Sequence, residues 1–355
     1  MSTDAVVDAN LHAEEDALLR AILGAAGDRG PKLAYAAWME TQGQIRRAAL
    51  ARREPQVFAT RAVVVPERWR DAITHANLDG GLLFITGQMR GLLRSNFGTE
   101  GAAWMHRQRV FSLDLNGRTK DWTRLAEMPW LGATRGLGLD RAALQPGDLA
   151  RLLASPHLGR LLSLSLGSLR GDAVETMTAL ATATTIPQLC SLSLWSSRLS
   201  PEALEPLLTW PGARQLVYLA IPYGRIGTAI AGLATNERFS GLTHLILDGN
   251  PLGVAGMQAF LDGNVLTSLR RLEMWACRLD DTCLHLLAAS PRLASLRHLN
   301  LRGNRFSFAA LQHLAQSPYI TAPCDVIVTT YDLTAEQQQQ LRAQYNGSGL
   351  FVCFT

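Results

Sequence analysis

The sequence predicts an α/β solenoid, a curved parallel sheet with outer helices, preceded by a small helical amino-terminal domain. Three observations predict it. A Leu-x-x-Leu-x-Leu pattern returns eight times at nearly constant spacing, and an apolar patch at helical spacing follows the copies. The composition suits a large core, with 355 residues, 47% hydrophobic and only 18% charged, which excludes an intrinsically disordered chain.

Taken in order, residues 14–53 read as helices, with an apolar stripe over 14–23 and Pro31 opening a second helix that contains Leu33, Tyr35, Trp38 and Met39. Gly24, Gly27 and Gly30 separate the two. Next come Gly81 to Thr86, read as a strand, and a helical turn over residues 89–93. The expected organisation is a helical domain over 1–57, an irregular cap over 58–109, repeats over 110–322 and a carboxyl-terminal cap over 323–355.

The repeats begin with two weaker copies, Val110-x-x-Leu113-x-Leu115 and Thr134-x-x-Leu137-x-Leu139. Six clean copies follow, starting at Leu161, Leu189, Leu216, Leu242, Leu269 and Leu296. Successive starts are 24, 27, 28, 27, 26, 27 and 27 residues apart. Alternation within each copy is the mark of a short strand with one buried face. Helical patches follow, such as Leu204, Leu207 and Leu208 after Ser200-Pro201, or Leu284, Leu286 and Leu287 after Asp280-Asp281; Ser200 and Asp280 suit the cap position. One unit cannot bury both its strand face and its helix face, so neighbours must stack.

These residues resemble the leucine-rich repeats, and the spacing is similar to that of the ribonuclease-inhibitor-like class. The resemblance implies Asn or Cys three positions after the second strand leucine, bonding backbone in the turn that leaves the strand. Asn250, Cys277 and Asn304 match it, whereas Arg118, Ala142, Leu169, Ser197 and Gly224 depart from it. Tyr35, Ala36, Trp38, Met39 and Glu40 resemble a short companion domain that precedes such repeats in some bacteria, with Ala37 in place of its usual Asp. That resemblance implies no activity.

At the carboxyl end, Val326-Ile327-Val328 reads as a strand, residues 334–345 as a helix with a solvated Gln337–Gln340 face, and residues 350–354 as a closing strand. The 34 Lys and Arg against 30 Asp and Glu, a net charge of +4, form no basic block, so no nucleic-acid partner is expected. No apolar run reaches the roughly 18 residues of a membrane span, and the amino terminus lacks a leader pattern, so a cytoplasmic protein without membrane partners is expected. The five cysteines, at 190, 277, 283, 324 and 353, form no CxxC pair and read as reduced, buried thiols.

No HExxH, Walker loop or GxSxG elbow is present, so no cofactor, metal or catalytic residue is assigned and the chain is not read as an enzyme. The glycines at 132, 136 and 138 imitate a phosphate loop without its Lys-Ser/Thr and read as turn glycines. Cys277, Cys283 and His285 are read as structural, and Asn346-Gly347-Ser348 as an idle glycosylation motif.

The remaining candidate is the concave strand face, whose residues alternate with the buried leucines. Early repeats offer small polar groups such as Ser112, Asp114, Ser163, Ser165, Ser191 and Ser193. Later ones present Trp195, Tyr218, Tyr223, His244, Asp248, Arg271, Glu273, Trp275, His298, Asn300 and Arg302. Trp, Tyr and Arg dominate interface energetics, so this set is expected to bind a protein or peptide. His244 with Asp248, or His298 with Glu273, could form an acid/base pair, but no nucleophile accompanies either. Two alternatives stand beside the scaffold reading. One is a regulator in trans, GTPase-activating or inhibitor-like, using Arg271 or Arg302; the other is an accessory subunit presenting a peptide to a modifying enzyme. Oligomeric state leaves no mark on the sequence.

Overall fold

The computed structural model describes residues 3–25, 28–52, 65–79, 82–93, 97–117, 120–142, 144–145, 147–167, 173–195, 199–263, 265–320, 324–329, 333–347 and 351–354. Arg118, Leu169 and Ser197 of the degenerate turns, Gly81, Leu350 and Ser348 lie outside them. The chain forms two compact units, residues 1–172 with 182–192, and residues 173–181 with 193–355. The architecture is mixed α/β, and both units carry parallel strands built from the Leu-x-x-Leu-x-Leu copies.

The first unit opens with three helices, α1 (Thr3–Leu23), α2 (Gly30–Thr41) and α3 (Ile45–Ala51). Pro31 sits in the first turn of α2, where its missing N–H leaves no orphan, and Tyr35, Ala36, Trp38 and Met39 form the buried stripe. Strands β1 (Ile73–Asp79), β2 (Leu82–Gln88), β3 (Val110–Asn116), β4 (Gly136–Arg141) and β5 (Ser163–Gly167) follow. β2 to β5 pair in parallel, each with the next. β1 is not among the elements expected from the sequence, and it departs from the parallel rule by running antiparallel to β2. Only residues 80–81 separate the pair, too few for the crossover that parallel strands need. Trp69 meets Phe97 and Trp104 edge-on at 5.4 and 5.7 Å, and Phe97 meets Trp130 at 6.3 Å, filling the core beside the first strands.

Unit boundaries cross β6 (Ser191–Trp195), of which Ser193–Trp195 belong to the second unit. There β7 (Tyr218–Ala220), β8 (His244–Ile246), β9 (Arg271–Glu273), β10 (His298–Asn300), β11 (Asp325–Val328) and β12 (Phe351–Phe354) pair in parallel. Leu219, Leu245, Leu272 and Leu299 share one register and are buried, each contributing about 1.5–3 kcal/mol once a neighbour covers it. Helices Gly253–Leu261, Asp281–Ala288 and Phe308–Ala315 pack successively on one another. Asp280 caps the second of these by accepting from the Cys283 N–H at 3.0 Å. Ser200, expected to act likewise, occupies the cap position of helix Pro201–Thr209 without a side-chain capping bond.

The last helix, Ala335–Gly347, starts with a reciprocal box in which Thr334 Oγ1 accepts from the Gln337 N–H and Gln337 Oε1 accepts from the Thr334 N–H, at 3.2 and 2.9 Å. Gln337 therefore does more than solvate a helix face. Tyr345 is buried and donates to the Leu311 carbonyl at 3.1 Å. No helix among the described residues is long and apolar enough to cross a membrane.

Candidate functional site

All eleven candidate residues fall in the second unit, and strand register arranges them in rows. Tyr218, His244, Arg271 and His298 occupy equivalent positions on β7 to β10. Two residues on, Ala220, Ile246, Glu273 and Asn300 form the second row on the same strand face. Beyond the strand ends, Asp248, Trp275 and Arg302 stand at matching turn positions.

Placement on this face does not guarantee exposure. His244 is 8% exposed and Glu273 6%, so neither is offered to a partner. The ring of Tyr218 lies 5.8 Å from that of His244, and Thr243 Oγ1 lies 3.0 Å from its Nδ1. Burial, reinforced by the charge of Arg271, pushes the His244 pKa down to about 4, leaving a neutral ring at neutral pH.

Glu273 is the hub of a polar cluster. Its Oε1 lies 2.6 Å from the Arg271 guanidinium and 3.2 Å from His298 Nε2, and its Oε2 accepts from Asn300 Nδ2 at 2.6 Å. Burial raises its pKa, but His298, Asn300 and Arg271 together outweigh that and hold it at about 2. Asn300 Oδ1 in turn accepts from the Arg302 N–H at 3.0 Å. A carboxylate so tightly occupied is a structural anchor rather than a general base.

The exposed part of the surface is aromatic. Trp195 is 42% exposed and Tyr223 39%, and Trp275 is half-buried. Tyr223 lies 6.4 Å from Trp195 and stands edge-on to Trp275 at 6.0 Å, so the three rings form one row. Tyr223 reaches this place from a left-handed backbone conformation with φ 59°. The equivalent turn positions are Gly249 (φ 69°), Ala276 (φ 52°) and Gly303 (φ 73°). A bulky residue there is strained by roughly 1–3 kcal/mol. Gly249 has a second reason to lack a side chain, since a Cβ would lie 2.5 Å from the Tyr223 ring. The sequence shows Tyr223 as an aromatic but not its backbone state; Gly249 one repeat downstream and Gly303 three repeats downstream are the signal that marks this column.

Asp248 sits under the row and accepts from the Trp275 N–H at 2.8 Å. Burial, only partly offset by that bond, raises its pKa to about 6. The folded value exceeds the unfolded value of about 3.9, so stability is lost as pH rises between the two and the deficit is complete at pH 7. Asp248→Asn keeps the acceptor and removes the charge. It is expected to raise stability by on the order of 1–3 kcal/mol at pH 7.5 and by almost nothing at pH 4, read as urea midpoints. An equal effect at both pH values would refute the assigned charge.

Cys277 Sγ lies 3.2 Å from the Leu247 carbonyl, in the turn position the repeat assigns it, and burial pushes its thiol up to about 12. Cys283 is buried on the helix Asp281–Ala288, while His285 on the same helix is exposed. Among the described residues no group of three or more His, Cys, Asp or Glu side chains could hold a metal ion.

No protein-family profile and no curated protein matches the chain. Among solved structures, an internalin (inlF) from Listeria monocytogenes is 16% identical, with 72% of this chain aligned to 65% of that one at a TM-score of 0.37. A protein from Bacteroides fragilis is also 16% identical, with 61% of this chain aligned to 65% of that one at a TM-score of 0.39. The chain thus spans less than two thirds of the length of either neighbour. Neither likeness bears on function.

Proposed function

We propose that this chain is a non-enzymatic scaffold whose second unit binds a protein or peptide through the row Trp195, Tyr223 and Trp275, with Tyr218 and Arg302 beside it. The observation that supports this reading is the strained Tyr223, an aromatic side chain retained where Gly249 and Gly303 occupy the equivalent turns. A ring kept in an unfavourable backbone state, exposed and flanked by two indoles, has the character of a binding hot spot. Glu273, His244, His298, Asn300 and Arg271 hold the strand face beneath it, and Asp248 fixes the Trp275 backbone. Within this reading the repeats are of the ribonuclease-inhibitor-like class, the amino-terminal helices are a bacterial companion domain, and the protein works in the cytoplasm without cofactor, nucleic acid or membrane.

Capture of partners from native lysate by the intact chain, followed by affinity measurement on the recovered partner, tests the proposal. Trp275→Ala is expected to weaken binding by about 2 kcal/mol or more, near thirtyfold, and Tyr218→Ala by less. Neither should lower the unfolding midpoint enough to depopulate the fold. Unchanged affinity in both variants would move the interface elsewhere.

Regulation of a partner enzyme in trans is the second reading, and the geometry separates its two arginines. Arg271 is locked to Glu273 at 2.6 Å, whereas Arg302 is exposed. Loss of stimulated nucleotide turnover in Arg302→Ala, with retention in Arg271→Ala, is the outcome that would favour it.

A further inference from the structure

The first unit contains a cleft that the binding surface above does not use. It has a volume of about 200 Å³ and is partly open to solvent. His12, Glu15, Tyr35, Arg107, Arg109 and Arg135 supply its polar lining.

The charges around it do not balance. Glu15 pairs with Arg109 at 2.9 Å and Arg135 at 3.5 Å, and Asp16 with Arg135 at 2.5 Å and Arg160 at 2.9 Å. Arg107, an exposed residue, lines the same cleft and has no ion-pair partner among the described residues. Among the lining residues three guanidiniums, Arg107, Arg109 and Arg135, therefore meet one carboxylate, Glu15, a surplus of two positive charges, while Asp16 and Arg160 lie outside the lining. His12 adds a ring nitrogen, Nδ1, that is buried without a hydrogen-bond partner. Buried polar atoms in native proteins are usually satisfied, so this nitrogen is an unmet donor or acceptor at the margin of the cleft, closed to solvent. His106, 6.3 Å from His12, reports the same field, since burial first, then Arg135 and His12, lower its pKa.

We propose that this cleft binds a small dianionic oxyanion, a phosphate group in the first instance, held by Arg107, Arg109 and Arg135. A dianion cancels the surplus, and guanidinium groups match oxyanion geometry with charge-assisted bonds. The site is independent of the aromatic row, and its occupation would strengthen the attachment of α1 to the strands that carry Arg109's neighbour Val110 and Arg135's neighbour Gly136.

The test is equilibrium dialysis of the intact chain against radiolabelled inorganic phosphate, with ionic strength held constant by chloride. Saturable uptake of one phosphate per chain is expected. Arg107→Gln, which disturbs no ion pair, should weaken uptake about tenfold or more, while Arg107→Lys should recover most of it. Succinate as competitor separates the sources: displacement of phosphate shows a site for dianions of either kind, and failure to displace shows one selective for phosphate. Unsaturable uptake, competition by chloride at equal ionic strength, or an Arg107→Gln variant that binds as the parent does would each overturn the proposal.

Discussion

Arg135→Met is expected to destabilise the first unit by about 3–5 kcal/mol, because it removes the central cation of a buried network without removing its anions. Arg135 is buried, and its Nε donates to Asp16 Oδ1 at 2.5 Å while its terminal nitrogen lies 3.5 Å from Glu15. Met fills much the same volume, so the loss measures charge rather than a cavity. Asp16 already has a raised pKa, burial being the largest cause and Arg135 the chief opposing one. Without Arg135 that pKa rises further. A raised folded pKa withdraws stability as pH increases, so the deficit should be largest at pH 7 to 8 and shrink as pH falls through the unfolded aspartate range near about 3.9. Asp16→Asn combined with Arg135→Met should recover part of the loss at pH 7, a coupling visible in a double-mutant cycle by urea denaturation. A deficit below 1 kcal/mol at every pH would reduce the network to the worth of a surface pair.

That network was invisible in the sequence, and the reason is its range. Its hydrogen bonds join residues 94, 119 and 144 positions apart, where no periodicity links donor to acceptor. The repeats were legible for the opposite reason, since each leucine column is a local pattern copied at constant spacing, and Leu245, Leu272 and Leu299 fall into register as that spacing requires. β1 escaped because its alternation, His75-Ala76-Asn77-Leu78-Asp79, has only one large apolar residue and is interrupted at Thr74, where its pairing shifts register between Ile73 and His75. At the candidate surface the alternation correctly placed rows of side chains on one strand face but not their burial. His244 and Glu273 disappear beneath neighbours from adjacent repeats, a consequence of packing between strands rather than along one. The left-handed backbone of Tyr223 was present in the sequence only as an analogy, through Gly249 and Gly303 at the same place in later turns.

Asn304→Ala should cost about 3 kcal/mol, the largest effect expected in the second unit from one polar side chain. Asn304 is 4% exposed. Its Nδ2 donates to the carbonyls of Met274 and Leu301, both at 2.8 Å, and its Oδ1 accepts from the Leu279 N–H at 3.1 Å. Truncation leaves three backbone groups of two successive turns without that partner in a space closed to solvent, at about 1 kcal/mol or more each. Replacement by Cys should lose roughly half as much, because Cys277 shows that a thiol in this column still reaches the preceding carbonyl, that of Leu247, at 3.2 Å. Asp should be worse than Ala, since it removes both donors and sets a buried charge against two carbonyl oxygens. The expected order of unfolding midpoints is Asn, Cys, Ala, Asp. Asn250 provides an internal comparison. Its Nδ2 donates to Ile221 and Leu247 at 2.7 and 2.8 Å, but its Oδ1 is buried without a partner. Asn250→Ala should therefore lose about 1 kcal/mol less than Asn304→Ala. The missing partner has a local cause, since in the preceding turn the Arg225 N–H donates to the Leu199 carbonyl instead, and Gly224 leaves the Asn250 amide room that any Cβ would take at 2.7 Å. Equal losses at the two asparagines would show that the third hydrogen bond of Asn304 contributes nothing, and that the turn column is held by its donors alone.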